Sequence, residues 1–553
     1  MALSDFHSPL FRAASQRLRK REKTMTSPPA PRTDGAANSP PAPPGGGATG
    51  GGDAAQAAFH APLPPAAVNK IIVGIMLAMF LSALEQTIVA PALPTIGVHL
   101  GDIESLSWVV TAYLLSATAV TPLFGKLSDI YGRRSILLTG VTVFILGSVA
   151  CALAPTMWAL IAARALQGIG GGGILPIAQA IIADLVSPRE RPRYQSYSAV
   201  MFMIASVIGP VLGGVLTDRV HWSLIFWINL PMGAVALVMT YRALEKLPRH
   251  ERPHELDIVG AALMVGAAIV LMLAMTWGGS RYPWASWQIL GLIAASTAMW
   301  GLFALRLATA DEPLIPPSVL REPVVTRIVV VGFFSIGAII GLSIYVPLYL
   351  ELVLGASPSV SGTALIAFTA GTVIGAFAAG RSLGRSRRYM RLPMAGLGIG
   401  IASLVVMAAM PTALTLAAVC CLLALCGAGI GPMYPVTTVL SQNAVLPHQF
   451  GIVTGTLNFF RLLGGTIIVA GLGAIILTKV DASGGVAALD RLAKSGVVPD
   501  ADFSSVFSWV FIATASCLLM ALVCLAGIEE RPLRGPASAP PAPPREAAPI
   551  AAE

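Results

Sequence analysis

Apolar runs of about 20 residues recur along most of this 553-residue chain, and they constrain its fold more than any other feature. Each run is long enough to cross about 30 Å of hydrocarbon as an α-helix. A composition that is 55% hydrophobic and only 11% charged excludes an ordinary soluble globular protein. The sequence therefore predicts an all-α polytopic membrane protein with fourteen transmembrane helices, spans 1 to 14, over residues 70–93, 106–124, 135–154, 157–184, 195–218, 223–243, 257–277, 287–308, 324–351, 361–380, 391–410, 413–440, 449–478 and 504–527.

Basic residues are distributed unevenly between the two sets of loops. The loops that follow even-numbered spans carry eighteen Lys and Arg residues, whereas the other loops carry five. Positive charge stays preferentially on the cytoplasmic side of a membrane. We therefore expect a multi-pass protein of the cell inner (cytoplasmic) membrane with both termini in the cytoplasm. The formal net charge of +9 reflects this topology and contact with lipid, not binding to nucleic acid.

The two ends of the chain differ in composition from its apolar middle. Residues 1–66 combine a basic cluster with a tract rich in Pro, Gly and Ala, and residues 529–553 are rich in Pro and Ala. Such segments contain too few apolar side chains to form a core, so we expect disordered cytoplasmic tails. Because no apolar segment follows the basic cluster before residue 70, the first tail is not a cleavable signal peptide. Met1 and Met25 are both compatible with a start site.

A loop predicted over residues 125–134, GKLSDIYGRR, is short enough to make spans 2 and 3 antiparallel neighbours. Its three cations place it on the cytoplasmic side. Gly125 and Gly132 suit tight backbone turns.

The same loop carries candidates for a cytoplasmic latch. Asp129 could lie against the positive N-terminus of span 13, near residues 449–451. Arg133 could meet Asp184, which ends span 4 on the same side. Such contacts form only when the cytoplasmic side is closed. The alternative is that these are ordinary loop charges exposed to water.

Glu85 and Arg164 lie well inside predicted spans, as Arg461 does in span 13, and a charge there needs a partner or a function. Glu85 lies about 22 Å along span 1 from the cytoplasmic side, and Arg164 lies about 10 Å along span 4 from the opposite side. In a core of about 30 Å both are at similar depth and could pair. Glu85 could take up and release a proton while Arg164 biases its affinity for that proton. Alternatively, the two form a static ion pair between spans 1 and 4.

Span 5 contains the string GPVLGG over residues 209–214. Pro210 removes one helix hydrogen bond and bends the span, and glycines four residues apart form a flat face for close packing. Span 10 repeats this spacing with Gly371 and Gly375 and is a candidate packing partner. Close packing without a role in transport is the alternative. The candidate hinge and packing residues are Gly209, Pro210, Gly213 and Gly214.

Aromatic and polar side chains within the spans could line a substrate cavity. Each of them could equally face lipid or pack in the core, and Arg461 could serve as a packing or snorkelling residue. Glu351, at the end of span 9, is expected at the outer interface. The six cysteines have neither disulfide nor metal-site spacing and are expected to be apolar fillers. The candidate cavity residues are Phe80, Tyr113, Gln167, Met203, Tyr345, Tyr349, Phe459 and Arg461.

These strings resemble signatures of a known family. The segment 125–134 resembles the loop signature of the major facilitator superfamily. The segments around Glu85 and Arg164 are similar to those of its drug:proton antiporter branch with fourteen spans (EmrB/QacA-type). That branch commonly has Asp where this chain has Glu85. The string 209–214 resembles the antiporter signature, except that Ala205 replaces its usual leading glycine. The resemblance covers residues 70–527.

The resemblance implies a major facilitator fold of two six-helix bundles plus two inserted helices. The implied domains are an N-terminal bundle over 67–243, a linker with two helices over 244–310 and a C-terminal bundle over 311–528. The implied function is a proton-coupled antiporter that exports amphipathic, often cationic, drugs or toxic compounds by alternating access. A narrow-specificity exporter of an endogenous metabolite is the alternative on the same scaffold.

The sequence predicts no catalytic residues, no metal site and no cofactor, with a proton gradient as the energy source. No Walker A string is present, and neither metal-spaced histidines nor a nucleophile elbow supports an enzyme. A receptor would need a folded signalling domain, which neither tail can supply. We expect a monomer that contacts a small-molecule substrate and the lipid bilayer, and the sequence leaves open whether a periplasmic adaptor participates.

Overall fold

A computed structural model of the protein describes residues 65–102, 105–188, 190–243, 256–279, 281–385, 388–482, 503–530 and 533. Within these ranges it contains fourteen helices that are long and apolar enough to cross a membrane, as predicted, and no β-strand. The helices of spans 1 to 14 are, in order, Pro65–Ile88 with Leu93–Leu100, Leu106–Tyr131, Arg133–Ala152, Met157–Leu185, Arg191–Arg219, Leu224–Trp227 with Asn229–Ala243, Ile258–Trp277, Trp287–Thr309, Pro323–Leu352, Pro358–Arg385, Arg391–Ala409, Leu416–Ile430 with Met433–Asn443, Phe450–Ala482 and Ser504–Ala526.

The predicted ten-residue loop between spans 2 and 3 is wrong. Span 2 continues as a helix to Tyr131, and span 3 begins at Arg133. Gly132 alone breaks the helices, with a φ of 88° that favours glycine. Gly125 is therefore a helical residue and not a turn residue. The segment between Gly125 and Tyr131 contains no proline, and its residues Ser128 and Asp129 find hydrogen-bond partners at the helix end.

Spans 1 and 12 are interrupted where proline and glycine occur. The main helix of span 1 ends at Ile88, and a 3-10 turn over Ala90–Ala92 leads into a second helix. Span 12 is broken at Gly431 and Pro432. In span 5, by contrast, the helix continues through Pro210.

Helix packing divides the spans into two groups of six with a pair between them. Spans 1 to 6 pack mainly on one another, as do spans 9 to 14. The groups meet where span 2 packs against span 13, span 5 against span 10 and span 4 against span 13. Spans 7 and 8 pack together, and span 7 lies against spans 2 and 13. Below, spans 1–6 are called the N-half, spans 9–14 the C-half, and the end that contains Gly132 the latch end.

The predicted domain boundaries stay a prediction, because the described residues do not divide at them. The described residues from 65 onward form one compact unit by backbone contacts. The predicted tails 1–66 and 529–553 lie almost wholly outside the described residues, as does the stretch 244–255 of the linker.

Candidate functional site

Glu85 and Arg164 meet in the interior of the N-half. The Glu85 side chain is fully buried and Arg164 is 1% exposed. Arg164 Nη1 is ion-paired with Glu85 Oε1, and Asn229 Nδ2 donates a hydrogen bond to Glu85 Oε2. Arg164 Nε donates to the Val109 carbonyl at 3.0 Å, and its guanidinium lies 4.5 Å from the centre of the Tyr113 ring. The structure thus brings together two charges that the sequence placed at equal depth.

Three neutral side chains close a ring of hydrogen bonds around this pair. Arg164 Nη1 donates to Gln167 Oε1 at 2.6 Å, and Gln167 Nε2 donates to Ser148 Oγ at 2.6 Å. Asn229 Nδ2 donates to Ser148 Oγ at 3.0 Å as well as to Glu85. We call Glu85, Arg164, Gln167, Ser148 and Asn229 the carboxylate ring. It joins spans 1, 3, 4 and 6, so a change in the charge of Glu85 acts on four helices.

The glycine run of span 4 allows span 2 to approach the carboxylate ring. A Cβ built at Gly168 would collide with the Tyr113 backbone, and one at Gly172 with the Ala117 backbone. A Cβ at Gly171 would lie 2.6 Å from the Tyr113 hydroxyl. The glycines therefore position the Tyr113 ring over the Arg164 guanidinium.

The predicted latch residues are in contact at the latch end. Asp129 accepts hydrogen bonds from the backbone N–H groups of Gly451 (3.1 Å) and Ile452 (2.8 Å) at the start of span 13. Arg133 Nη1 pairs with Asp129, and Arg133 Nε donates to Asp184 Oδ2 at 3.0 Å. The cluster thus joins the N-half to the C-half through one carboxylate at a helix N-terminus.

Glycines make this joint close. A Cβ at Gly125 would collide with the Gly451 carbonyl, so spans 2 and 13 touch backbone to backbone. Gly132 has open space around it and serves the turn. Gly125 therefore contributes to this contact through packing, not through the turn that the sequence predicted.

The glycine face of span 5 packs against the end of the main helix of span 1. A Cβ at Gly209 would collide with Thr87, and one at Gly213 with the Ile88 carbonyl. Thr87 Oγ1 donates to the Ala205 carbonyl at 2.9 Å across the same contact. Gly214 has nothing within 4 Å of a built Cβ, and Pro210 is exposed. Gly209 and Gly213 thus hold span 1 within a few residues of Glu85.

Span 10 does contact span 5, but not through the glycines expected to do so. A Cβ at Gly371 would collide with the Ala424 carbonyl and one at Gly375 with the Ala428 carbonyl, both on span 12. The contact with span 5 instead includes Ser196, whose Oγ donates to the Ala376 carbonyl at 2.8 Å. Spacing alone identified a packing face without indicating its partner.

Arg461 belongs to a second buried polar cluster, between the halves. Gln179 of span 4 donates from Nε2 to the Tyr434 hydroxyl and accepts from Asn458 Nδ2, both at 2.8 Å. Arg461 Nη1 donates to Asn458 Oδ1 at 3.1 Å. Gln442 of span 12 donates to the Gln179 carbonyl at 3.4 Å. We call Gln179, Tyr434, Gln442, Asn458 and Arg461 the inter-half cluster.

The other candidate cavity residues are not gathered at one site. Tyr113 and Gln167 contact or belong to the carboxylate ring. Phe459 is buried, with its ring 6.1 Å from that of Trp300 on span 8. Tyr345 is half-buried and donates to the Val469 carbonyl at 2.9 Å. Phe80 and Met203 are also half-buried.

Tyr349 does not line a cavity. It is fully buried in the core of the C-half, packs on Phe507 and Phe511, and its hydroxyl donates to the Pro411 carbonyl. An aromatic residue near the end of a span can occupy either a core or a cavity, and Tyr349 occupies the core. Glu351 at the same end accepts a hydrogen bond from Ser361 Oγ at 2.7 Å.

Apart from Gln167, sequence reasoning missed the neutral members of both clusters. The sequence identified buried polar residues by the high cost of burying a charge. This criterion does not detect the uncharged side chains of Ser148, Asn229, Gln179 and Asn458. A signal was available in Asn229, which begins the second helix of span 6. Among the described residues, no three His, Cys, Asp or Glu side chains lie together as metal ligands would.

Comparison with known proteins assigns the family. The model of the Major Facilitator Superfamily matches residues 75–469. The multidrug transporter protein MdtP of Bacillus subtilis (strain 168) is 33% identical over 73% of this chain and 75% of its own length. An uncharacterized MFS-type transporter of Mycobacterium tuberculosis (strain ATCC 25618 / H37Rv) is 35% identical over 79% of this chain, which spans only 63% of that relative.

Solved structures of low sequence identity share the fold. The proton:xylose symporter XylE superposes with a TM-score of 0.55 at 13% identity, covering 85% of this chain and 98% of its own. A bacterial homologue of the iron transporter ferroportin in its outward-facing state gives a TM-score of 0.58 at 12% identity over 83% of this chain and 98% of its own. The helices, their packing and these matches agree, and the chain belongs to the Major Facilitator Superfamily.

Proposed function

We propose that the protein is a proton-coupled antiporter that exports amphipathic drugs or other toxic compounds by alternating access. The observation that carries the proposal is the carboxylate ring, in which Glu85 is a fully buried acid bonded to Arg164 of span 4 and Asn229 of span 6, with Ser148 of span 3 linked through Asn229. A buried carboxyl at this depth is costly unless it is neutralised or used. Relatives named multidrug transporter, multidrug resistance protein and efflux pump support the direction of transport.

Glu85 supplies the proton step in this proposal. As a carboxylate it is held by the Arg164 guanidinium, and protonation removes the charge on which that ion pair depends. Arg164 keeps its bonds to the Val109 carbonyl and to Gln167 in either case. The main helix of span 1 ends three residues beyond Glu85 and packs there against Gly209 and Gly213. Proton uptake would therefore change how span 1 is held between spans 4, 5 and 6.

The contacts at the latch end support an outward-facing state of this cycle. With the positive-inside bias, the latch end is cytoplasmic. There the halves are joined by Asp129 at the N-terminus of span 13 and by Ser196 at the Ala376 carbonyl. Further along span 5, Val211 and Val215 are exposed. A cytoplasmic side closed by these contacts has to open before a compound can enter from the cell interior.

Two measurements test this function. Drug-sensitive bacterial cells with and without the gene are compared for growth on a panel of amphipathic compounds. Inside-out membrane vesicles from the same cells are then assayed for uptake of each protective compound with an imposed pH gradient, with and without a protonophore. We expect protection against several compounds and uptake that the protonophore abolishes. Uptake that is unchanged by the protonophore would refute proton coupling. Protection against only one compound would favour the alternative of a narrow-specificity metabolite exporter.

A further inference from the structure

Arg461 is a buried cation with no acidic partner among the residues that the structure describes. It is 2% exposed, and its acceptors are all neutral: Asn458 Oδ1, the Tyr434 carbonyl and the hydroxyls of Thr437 and Thr438. The other fully buried arginine, Arg164, is paired with Glu85. An uncompensated charge in this environment costs several kcal/mol, so Arg461 requires a reason that packing alone does not give.

One donor of the Arg461 guanidinium has no partner at all. Arg461 Nε is buried and makes no hydrogen bond. Gly332 of span 9 lies beside it, and a Cβ built there would be 3.6 Å from Nε. The Nε edge of a guanidinium is one of the edges that bind a carboxylate through two parallel hydrogen bonds. The free donor thus lies at a close contact between spans 9 and 13, where a Cβ at Gly332 would already be 3.0 Å from Leu457 Cδ1.

Gln179 of the N-half forms hydrogen bonds with two neighbours of this cation. Gln179 donates to the Tyr434 hydroxyl and accepts from Asn458, and each of those residues contacts Arg461. The Tyr434 ring is 4.5 Å from the guanidinium carbon. If the halves separate at the latch end, Gln179 leaves with span 4, and Arg461 and Tyr434 remain on the C-half.

We propose that Arg461 is the binding group for an organic carboxylate, reached from the latch end once Gln179 has withdrawn. The proposal rests on the proposed alternating-access function and names its substrate class. The guanidinium would bind the carboxylate, and the Tyr434 ring would contact the apolar part next to it. An unpaired buried cation favours amphipathic anions over the cationic drugs that the sequence suggested, because the buried acid Glu85 already has its partner.

A matched pair of probes tests the charge directly. Dansylglycine carries a carboxylate, and its amide, dansylglycinamide, has the same fluorophore without the charge. Binding to the purified full-length protein in phosphatidylcholine nanodiscs is followed by energy transfer from tryptophan to dansyl. We expect Gln179→Ala to bind dansylglycine more tightly than the wild type does. Adding Arg461→Gln should weaken dansylglycine binding by about tenfold or more, the scale of a charge-assisted hydrogen bond, and leave the amide within about twofold.

Further variants and lipids make the outcomes distinct. Arg461→Lys keeps the charge without the planar guanidinium, and its affinity for dansylglycine should lie between those of the wild type and Arg461→Gln. If Arg461→Gln does not fold, Arg461→Lys takes its place in the comparison. Equal loss of both probes, unchanged dansylglycine binding in Arg461→Gln, or a preference of Gln179→Ala for the amide would overturn the proposal. So would loss of binding when phosphatidylglycerol replaces phosphatidylcholine, since an anionic lipid headgroup would then occupy the site. Binding needs no pH gradient, so failed proton-driven export with intact binding would count only against the proposed antiport.

Discussion

At the scale of single residues, the structure pairs the buried charges Glu85 and Arg164 with each other and gives Arg461 only neutral acceptors among the described residues. Glu85, Asp129 and Asp184 each accept from an arginine or a helix N-terminus. Their partners could be predicted from the sequence because the depth of a residue in the membrane can be estimated from its position in a span. Few other groups lie at the same depth or at the same helix end. The neutral ring members Ser148 and Asn229 could not be predicted, since serine and asparagine occur in spans for many reasons.

Asp129→Asn should leave the protein folded and inserted but slow transport several-fold. The carboxylate accepts from two backbone N–H groups of span 13 and pairs with Arg133, and a neutral amide loses the charge in all three contacts. The change should weaken the closed latch by about 1–3 kcal/mol, a typical coupling energy. Initial rates of efflux, normalised to the amount of protein in the membrane, measure the effect.

Asp311→Asn is the matched control for this change. Asp311 is exposed in the connection between spans 8 and 9, on the same side as Asp129 by the predicted topology. The Asp311→Asn variant should therefore transport at the wild-type rate. A well-expressed Asp129→Asn protein with the wild-type rate would show that Asp129 is not a latch.

At the scale of helices, backbone-to-backbone contacts decide which glycines matter. Apolar runs predicted all fourteen spans to within a few residues at most ends, because length and hydropathy alone limit a membrane helix. The end of span 2 was wrong by seven residues, since polar residues at a helix end resemble a loop. The sequence did not predict which helix each glycine face packs against. Gly371 and Gly375 pack against span 12, and only the structure shows this partner.

Gly213→Leu should abolish transport or insertion, whereas Gly214→Leu should be tolerated. The two glycines are adjacent, yet a Cβ at Gly213 collides with the Ile88 carbonyl and one at Gly214 meets nothing within 4 Å. A bulky side chain at Gly213 would push span 1 away from span 5 close to Glu85. Membrane-inserted protein and efflux are measured for both variants. Normal transport by Gly213→Leu, or equal damage by both, would contradict this helix contact.

Pro210→Ala should be milder than Gly213→Leu. Pro210 is exposed and the helix continues through it, so alanine restores a backbone donor without a clash. We expect normal insertion and an altered transport rate, read in the same efflux assay. A protein that fails to insert would show that the proline is needed for assembly.

At the scale of the whole molecule, span 4 connects two polar layers. Arg164 in the carboxylate ring and Gln179 in the inter-half cluster are fifteen residues apart on one helix, about 22 Å at 1.5 Å per residue. If a change in the charge of Glu85 moves span 4, the same movement would therefore shift Gln179 relative to the C-half. This physical link could not be predicted from sequence, because Gln179 carries no charge.

The predicted orientation has its own test. Val220 lies at the end of span 5 away from the latch and is 68% exposed, while Asp311 is exposed on the other side by the predicted topology. In a variant without native cysteines, Val220→Cys should react with a membrane-impermeant maleimide in intact cells. Asp311→Cys should react only after the membrane is permeabilised. The reverse pattern would invert the topology and place the latch outside.

The central claim is that Glu85 couples proton movement to export, and transport against a gradient in proteoliposomes tests it most directly. Wild-type protein, Glu85→Gln and Glu85→Asp are reconstituted in equal amounts, and accumulation of a compound identified by the growth panel is followed under an imposed pH gradient. Glutamine keeps the size and hydrogen bonding of Glu85 but cannot titrate, so Glu85→Gln should fold yet fail to concentrate the compound. Glu85→Asp should concentrate it partly, because a titratable carboxyl survives. If Glu85→Gln concentrates the compound as the wild type does, proton coupling lies elsewhere and the ion pair with Arg164 is structural.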